Sequence, residues 1–584
     1  MDRDMMLRTI LAVALAFLLM TAWKSLVLDK RPRPEPTEAP ATAAPEAKEE
    51  VPVPEVPAPA PPPAAATEAV EGPPDQPQQR IERAGDVVEL TARGGRIASW
   101  RLLEHRRDAG DPDSPPIDIV SPEERLLDRL PLTIELPDEE ETRRVNAAWY
   151  LTERARAAPE ELERLDLPEG TERVRFRWAD GAGLAVEKTI YFPPDSPFLA
   201  RVIWSVTRNG VPDPEAMLTW GPGVAHRLDS GRASRYGYRG DVVYPNGGRT
   251  VRDHLARKAE SAGADRLAEL TRGLVWPARG APRWLAIDNQ YFAAALVPAR
   301  PSSAVARVVP AEIAGGTSYQ PVIGVGASDV MVFAGPKSTR ALAEAGARLG
   351  APLPSLLYWG RFRFIAEPLY RVLAFLHGWV GNWGAAIVLL TALIKLAFYP
   401  LTQRSLVKMR QTQAKMAKLQ PKIRWIKEKY KDKRDMESRR RMQEEMMALY
   451  KKEGVNPMAP VAGCLPLLLQ LPVLYGMYSV LTVVIDLRGA PLFGWIRDLS
   501  APDPYFVTPI VMGATMFLQQ LLSTARVEDP QQRAQQRMML FMPVMFTYFF
   551  VWLPSGLVLY WLTNNVLSIL QQLVINRQAE ARAA

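Results

Sequence analysis

Residues 380–401 read VGNWGAAIVLLTALIKLAFYPL. The run is apolar and falls within the roughly 17–25 residues that a membrane-spanning helix needs. Its one ionisable side chain is Lys395, with Thr391 one turn before it on the same face. A charge at mid-membrane costs about 2.5–3.5 kcal/mol on insertion scales and is normally turned towards a wet cavity. The alternative is snorkelling, because Lys395 stands about 9 Å from the end of the run at 1.5 Å per residue. A lone cation in a polar groove suits transient binding of an acidic guest. No Asp or Glu lies inside the apolar runs of 380–575 apart from Asp486 at a boundary, so a chain of titratable groups for proton relay is missing. Polar candidates for its surroundings are Gln470, Gln519, Gln520, Asn564, Asn565, Ser568 and Gln571.

Working outward, three further apolar stretches follow: 461–485, 505–522 and 538–575. Pro554-Ser-Gly556 splits the last into arms 538–553 and 556–575. The first arm has 16 residues and rises about 24 Å, short of a hydrocarbon core of about 30 Å, so it implies a locally thinned bilayer or an arm that sits partly within protein. An apolar segment at 1–28, read as an uncleaved anchor because Asp2 and Asp4 precede it and no small-x-small site follows Met20, brings the expected count to six spans. In the stretch 461–485, Leu474, Met477 and Leu481 recur three and four apart. This stripe reads either as a sliding surface for a guest helix or as packing between helices.

Charge gives the orientation. Residues 402–460 carry seventeen Lys/Arg against seven Asp/Glu, a net of +10, whereas 24–379 carry 45 against 49, a net of −4. Positive loops stay in the cytoplasm. This places 402–460 and both termini inside and about 29–379 outside, although Lys24, Lys30, Arg31 and Arg33 oppose it locally. The net charge of +8 therefore reflects a segregated basic loop, not sequence-specific nucleic-acid binding.

That loop reads as a hairpin of two helices. Met409, Met416, Ile423 and Tyr430 repeat every seven residues, with Leu419 and Ile426 beside them. Met442, Met446 and Leu449 provide the returning face after a turn at Lys431-Asp-Lys-Arg434. Just before the first span, Phe362, Ile365, Leu369, Val372, Leu373 and Leu376 mark an amphipathic interfacial helix within 355–379.

The remainder of the chain is not membrane. Residues 29–79 are a Pro/Ala-rich spacer, with fifteen of the 53 prolines between 32 and 77. Residues 80–345 carry short β-type runs, such as Val174-Arg-Phe-Arg-Trp178, separated by Asp180-Gly181, Asn209-Gly210 and Asn246-Gly247. They predict a large antiparallel sandwich. No Walker loop, G-x-S-x-G or H-E-x-x-H is present. One cysteine, Cys464, and four scattered histidines argue against a disulfide framework or a zinc site. No cofactor or metal is expected.

The order of these elements and a set of local motifs resemble the YidC membrane protein insertases of Gram-negative bacteria. The motifs are Val380-Gly-Asn-Trp-Gly384, Tyr399-Pro-Leu-Thr402, Leu419-Gln-Pro-Lys422, Glu445-Met-Met-Ala-Leu-Tyr450, Val455-Asn-Pro457, Gly463-Cys-Leu-Pro466, Gln470-Leu-Pro472, Asp498-Leu-Ser500, Asp503-Pro-Tyr505, Phe541-Met-Pro543 and Phe550-Val-Trp-Leu-Pro-Ser-Gly556. The resemblance implies a membrane α-helical bundle of six transmembrane helices, with a five-helix insertase core at 380–576 and a tail at 577–584, plus a periplasmic all-β supersandwich. It implies a groove open to cytoplasm and lipid, in which an arginine attracts acidic parts of the guest; Lys395 stands at that position here. By position it assigns Thr391, Leu474, Tyr560 and Trp561 to groove or guest contact. It implies an inner-membrane insertase and chaperone, not an enzyme, working alone or with the Sec translocon. Its partners would be nascent membrane proteins, the ribosome, the signal recognition particle receptor and membrane lipid. Two rivals are a secondary transporter, which would show inverted repeats and paired charges, and a membrane-anchored glycan-binding or glycan-processing protein, which would use the sandwich.

Overall fold

In the computed structural model, which describes residues 69–74, 76–225, 240–313, 316–360, 362–430, 435–454, 465–523 and 530–583, the middle of the chain is a β-sandwich of three antiparallel sheets. The expected anchor at 1–28 and most of the spacer lie outside these residues. The spacer is shorter than the composition indicates. Val70 bridges Ala179, Gly72 N–H donates to Trp149 O at 2.8 Å, and the first strand, Gln79–Glu82, begins inside the expected spacer. Proline-rich composition hides this docking because it runs through single backbone contacts, with Gly72 too close to Tyr150 O for a side chain.

The largest sheet has ten strands. Leu151–Arg156, Glu172–Ala179, Leu184–Phe192 and Leu199–Arg208 form a meander. The last of these pairs with Asp329–Pro336, which continues through Phe292–Pro298, Leu285–Asp288, Asp241–Asn246 and Arg249–Asp253. Asn209-Gly210 turns as read, whereas Asn246 ends its strand opposite Arg249 and the turn there is Gly247-Gly248. Asn209 and Gly210 both take positive φ (49° and 79°) between paired Arg208 and Val211, the two-residue turn whose twist matches that of the strands. Along Glu172–Ala179, Val174, Phe176 and Trp178 point inward. Arg173 and Arg175, turned outward, pair with Glu161 at 2.9 Å and Glu187 at 3.1 Å.

Two strands are buried on both faces. Leu285, Ile287, Phe292, Ala294 and Leu296 enter the sandwich core with Trp100, Leu218, Val308 and Ile323 of the other two sheets. Their alternates Ala286, Ala293 and Ala295 join a second core containing Phe333, Leu342, Leu353 and Trp359. That second core runs on into the helices, so sandwich and bundle share apolar packing.

The helical part consists of α1 (Arg363–Val380), α2 (Trp383–Lys429), α3 (Met436–Lys452), α4 (Leu465–Val483), α5 (Val507–Ser523), α6 (Pro530–Phe550) and α7 (Ser555–Ala583). α1 forms where the interfacial helix is expected, with Ala366, Tyr370, Leu373 and Leu376 buried and Phe364, Phe375 and Trp379 exposed. Among the described residues, two helices are long and apolar enough to cross a membrane, Trp383–Pro400 and Ser555–Ile575. Val507–Leu522 and Met539–Phe550 are shorter. α4 starts at the edge of the described residues, so the expected six spans are not all represented.

The expected break at 402 is absent: span and first hairpin arm are one 47-residue helix that passes through Pro400 and Pro421. Its length is about 70 Å at 1.5 Å per residue. The hairpin seam is Leu419, Ile423 and Ile426, all buried, with Met446, Leu449 and Tyr450 against the first two. The side chains of Met409 and Met416 and the turn at 431–434 lie outside the described residues.

Sandwich and helices are also joined by polar contacts. Gln290 Nε2 donates to Thr482 O at 2.7 Å. Within the helical part, Tyr370 OH of α1 donates to Asp486 Oδ2 at 2.8 Å. Arg488, just beyond α4, donates to Arg107 O at 2.9 Å and lies 5.9 Å from the Phe292 ring, against which His105 also packs. Burial first, and the Arg488 charge second, push the His105 pKa down from 6.5 to about 4. Between those values the unfolded chain binds a proton that the folded one refuses, so stability from this joint is present above about pH 6.5 and is lost as pH falls towards 4. Acidification from pH 7 to 5 should therefore speed proteolysis at this joint, and His105→Gln should flatten that dependence.

Candidate functional site

The site grows from the way α7 divides its faces. Successive residues of an α-helix point about 100° apart. Tyr560, Asn564, Ser568 and Gln571 therefore share one side, and Trp561 and Asn565 share another. The first side meets α2 and α4. Lys395 Nζ of α2 donates to Asn564 Oδ1 at 3.1 Å and to Ser568 Oγ at 2.6 Å. Gln470 Nε2 of α4 donates to Tyr560 OH at 2.8 Å, with the Asn564 amide oxygen 3.4 Å away. Gln571 Nε2 approaches Thr402 Oγ1 and Gln403 Oε1 at 3.4 Å. From Tyr560 to Gln571 the polar strip is about 16 Å long at 1.5 Å per residue.

Lys395 is half-buried and bonds only to neutral groups; no salt bridge to it occurs among the described residues. Its positive charge is therefore solvated by an amide and a hydroxyl but left uncompensated. Asn564 is the hinge of the cluster, since its oxygen receives from the cation and stands within reach of Gln470.

The sequence-derived residues divide clearly. Lys395 and Tyr560 belong to the cluster. Leu474 is half-buried against the second apolar core. Thr391 is buried, and its hydroxyl donates to Ile387 O of its own helix at 2.7 Å. Trp561 is turned about 100° from Tyr560 on α7, 5.1 Å from the Phe550 ring and 6.4 Å from the Phe546 ring. In this structure it packs on α6, apart from the polar cluster. Met477 and Leu481 are fully buried with Ile387, Leu390 and Leu557. In this conformation their stripe packs between helices and offers no open sliding surface. Asn565 turns to α5, with its Nδ2 3.3 Å from Thr515 Oγ1. Gln470, Asn564 and Ser568 were legible as polar residues in apolar runs. Their sharing of one face with Lys395 required the helix pairing.

The short arm also differs from expectation. α6 begins at Pro530 and ends at Phe550, and its apolar part, Met539–Phe550, is shorter than the 16 residues read from sequence. Twelve residues rise about 18 Å. The second core fills the bundle on one side of the polar cluster, where α2, α4 and α7 bring Ile387, Leu390, Met477, Leu481 and Leu557 together.

Comparisons with known proteins agree along the chain. Residues 81–372 match the family model described as YidC periplasmic domain, and residues 375–582 match the one described as 60Kd inner membrane protein. A membrane protein insertase YidC from Syntrophus aciditrophicus (strain SB) is 33% identical over 527 residues, 88% of each chain. One from Aliivibrio salmonicida (strain LFI1238) is 42% identical over 307 residues, 51% of this chain and 53% of that protein. Apart from the Syntrophus protein, the first relatives are matched over about half their length. A solved structure, an active YidC insertase with its first transmembrane domain resolved, superposes with a TM-score of 0.35 at 19% identity, covering 87% of this chain and 95% of that one.

Replacing Tyr560 by Phe removes one half-buried hydrogen bond and should cost about 0.5–1.5 kcal/mol. Asn564→Leu should cost more, because it strands the Lys395 ammonium among apolar groups. Thermal unfolding in detergent followed by tryptophan fluorescence should rank Asn564→Leu below Tyr560→Phe.

Proposed function

The chain belongs to the membrane protein insertase YidC family, and on that premise we propose that it inserts and helps fold integral membrane proteins in the bacterial inner membrane. The observation that carries the reading is the uncompensated Lys395 ammonium on the polar strip of α7. A nascent chain must carry a polar segment across a low-dielectric layer, where each unsatisfied group costs several kcal/mol. The strip offers such a segment donors and acceptors over part of that path. The cation attracts acidic residues without binding them permanently, because a neutral amide and a hydroxyl retake it when the guest leaves. The apolar part of the guest then moves sideways into lipid, driven by burial at about 25 cal/mol per Å².

The orientation follows the charge bias, with the hairpin and both termini cytoplasmic and the sandwich periplasmic. Six spans complete the bundle. The short apolar part of α6 thins the bilayer beside the strip and lowers the barrier there. Lys395 takes the place of the family arginine and keeps the charge without the bidentate fork. Leu474 lies beside Gln470 on α4 and is the guest-contacting apolar residue that the geometry favours. The α2–α3 hairpin, basic and projecting from the membrane, docks the ribosome or targeting factors, and the Sec translocon is a further partner. No step of this function requires a cofactor.

Lys395→Ala should impair insertion of guests with acidic translocated segments, whereas Lys395→Arg should retain it. Protease protection of a reporter guest in depleted cells measures both. Equal insertion by Lys395→Glu and the native chain would sink the role of the charge. For the hairpin, Ile423→Ala should cost about 2–5 kcal/mol of seam packing. Cleavage of the hairpin by added protease should rise while the span region stays resistant. Full complementation with the hairpin shown to be open would remove its docking role.

A further inference from the structure

We infer that Asn382 and Ser555, the residues at the starts of α2 and α7, are positioning residues that latch the 490–505 loop across the outward end of the polar strip. The inference rests on the orientation proposed above and identifies what closes the groove on that side.

The loop leaves the end of α4 and enters α5. Asn382 Nδ2 donates to Pro491 O at 3.0 Å and to Leu492 O at 3.2 Å, while its Oδ1 accepts from Ala385 N at 2.9 Å as the N-cap of α2. One amide thus caps a helix and grips the loop. Ser555, the first residue of α7, also grips the loop. Its Oγ donates to Asp498 O at 2.9 Å or Ala501 O at 2.8 Å, and its backbone N–H also donates to Ala501 O at 2.8 Å. Gly556 N–H donates to Leu499 O at 2.9 Å.

Two glycines admit the loop. A Cβ on Gly384 would fall 2.0 Å from Leu492 Cδ1, and one on Gly556 would fall 2.8 Å from Leu481 Cδ2 and 3.1 Å from Leu499 O. Neither position has space for a side chain, so the loop is pressed on both helix starts. Inside the loop, Asp503 ties its far end. Its carboxylate accepts from Trp495 Nε1 and Tyr505 N at 3.0 Å, and from Thr508 N and Oγ1 at 2.7 and 2.8 Å. Ile496 and Leu499 point inward and join the buried cluster of Ile387, Leu390, Met477, Leu481 and Leu557. Phe493 is 71% exposed on the other side. The motifs Val380-Gly-Asn-Trp-Gly384, Asp498-Leu-Ser500, Asp503-Pro-Tyr505 and Pro554-Ser-Gly556, distant in sequence, therefore meet in one closure. Going inward from it, the path to Lys395 passes apolar side chains and the buried Thr391, whose hydroxyl is spent on Ile387 O. The latch keeps that plug seated while a guest occupies the polar side.

The test measures access from outside. In the full chain with Cys464→Ser, a reporter Thr391→Cys sits between latch and Lys395, and Phe493→Cys sits on the exposed loop. Intact cells with a permeabilised outer membrane are treated with a membrane-impermeant maleimide. Phe493→Cys should label quickly and Thr391→Cys slowly. Asn382→Asp keeps the helix cap but loses both loop bonds, and Ser555→Ala loses the hydroxyl. Together they should speed labelling of Thr391→Cys by about tenfold or more, the population change expected in local opening from losing these three ordinary hydrogen bonds. Ser555→Thr, which keeps the hydroxyl, should restore the slow rate when Asn382 is native. Phe493→Cys labelling with no acceleration at Thr391→Cys overturns the latch alone. A Phe493→Cys reached only from the cytoplasmic side overturns the proposed orientation, and the latch with it. Acceleration equal in Ser555→Thr and Ser555→Ala shows a packing effect and also overturns the latch.

Discussion

An ammonium resting on an amide oxygen and a hydroxyl, Lys395 on Asn564 and Ser568, sets the terms for the helical bundle. A lone charge in this setting is tolerated only where polar partners are fixed around it. Those partners must come from a neighbouring helix, since α2 supplies none nearby except Thr391, whose hydroxyl is spent on its own backbone. α7 supplies them at four-residue spacing, and this fixes which side of α7 faces α2. The remaining sides are then assigned. Asn565 must go to α5, and Trp561 must go to the aromatic residues of α6. One polar contact thus orders the packing of four helices. The neutrality of the partners matters as much as their position. A carboxylate there would hold the cation permanently and cancel the field that draws an acidic guest.

The sandwich is tied to the bundle by a different means. Phe292–Pro298 and Leu285–Asp288 are buried on both faces, and their outward alternates are mostly alanine. Small side chains let the segment 339–359 lie close on the sheet, and the same core continues to Leu373, Met477 and Leu557. Lys337 and Asp288, both nearly inaccessible, pair at 2.7 Å, and the same Lys337 Nζ donates to Asn289 O at 2.9 Å. This fixes the turn whose Gln290 reaches Thr482. Breaking such a buried pair from one side leaves an uncompensated charge and is strongly destabilising. The turn therefore meets the helix end as a rigid piece.

Much of this was legible in the sequence because each reading rested on a local rule. Asn209-Gly210 takes the positive φ that its residue types favour, and the alternation of Val174, Phe176 and Trp178 defines a face without reference to the rest of the chain. The lone Lys395 in an apolar run was legible for the same reason. Readings that depended on pairing between distant segments were not. A stripe such as Leu474, Met477 and Leu481 states that a helix has an apolar side, and says nothing about whether lipid, guest or another helix covers it. Tyr560 and Trp561 look alike as adjacent aromatic residues, and only the 100° between them separates their surroundings. Pro400 stood near the end of the apolar run, but α2 continues through it and through Pro421 as one helix. Asn382 and Ser555 gave no signal of their own in the sequence, because their bonds to loop 490–505 appear only when that loop is folded over them.

The bundle is unequal along its axis, and the inequality has a physical consequence for the proposed insertion. The polar strip on α7 covers about 16 Å, roughly half of a hydrocarbon core of about 30 Å. The remaining depth towards the latch is filled by Ile387, Leu390, Met477 and Leu481. A strip through the whole depth would solvate a guest equally at every level and would also conduct ions. An apolar bundle throughout would leave every polar group of the guest unsatisfied, at several kcal/mol each. The half-polar arrangement avoids both. It lowers the barrier over the depth where the guest first enters and keeps the outward half dry. In the function proposed above, the guest completes the crossing through thin lipid beside α6, with no continuous aqueous path left behind it.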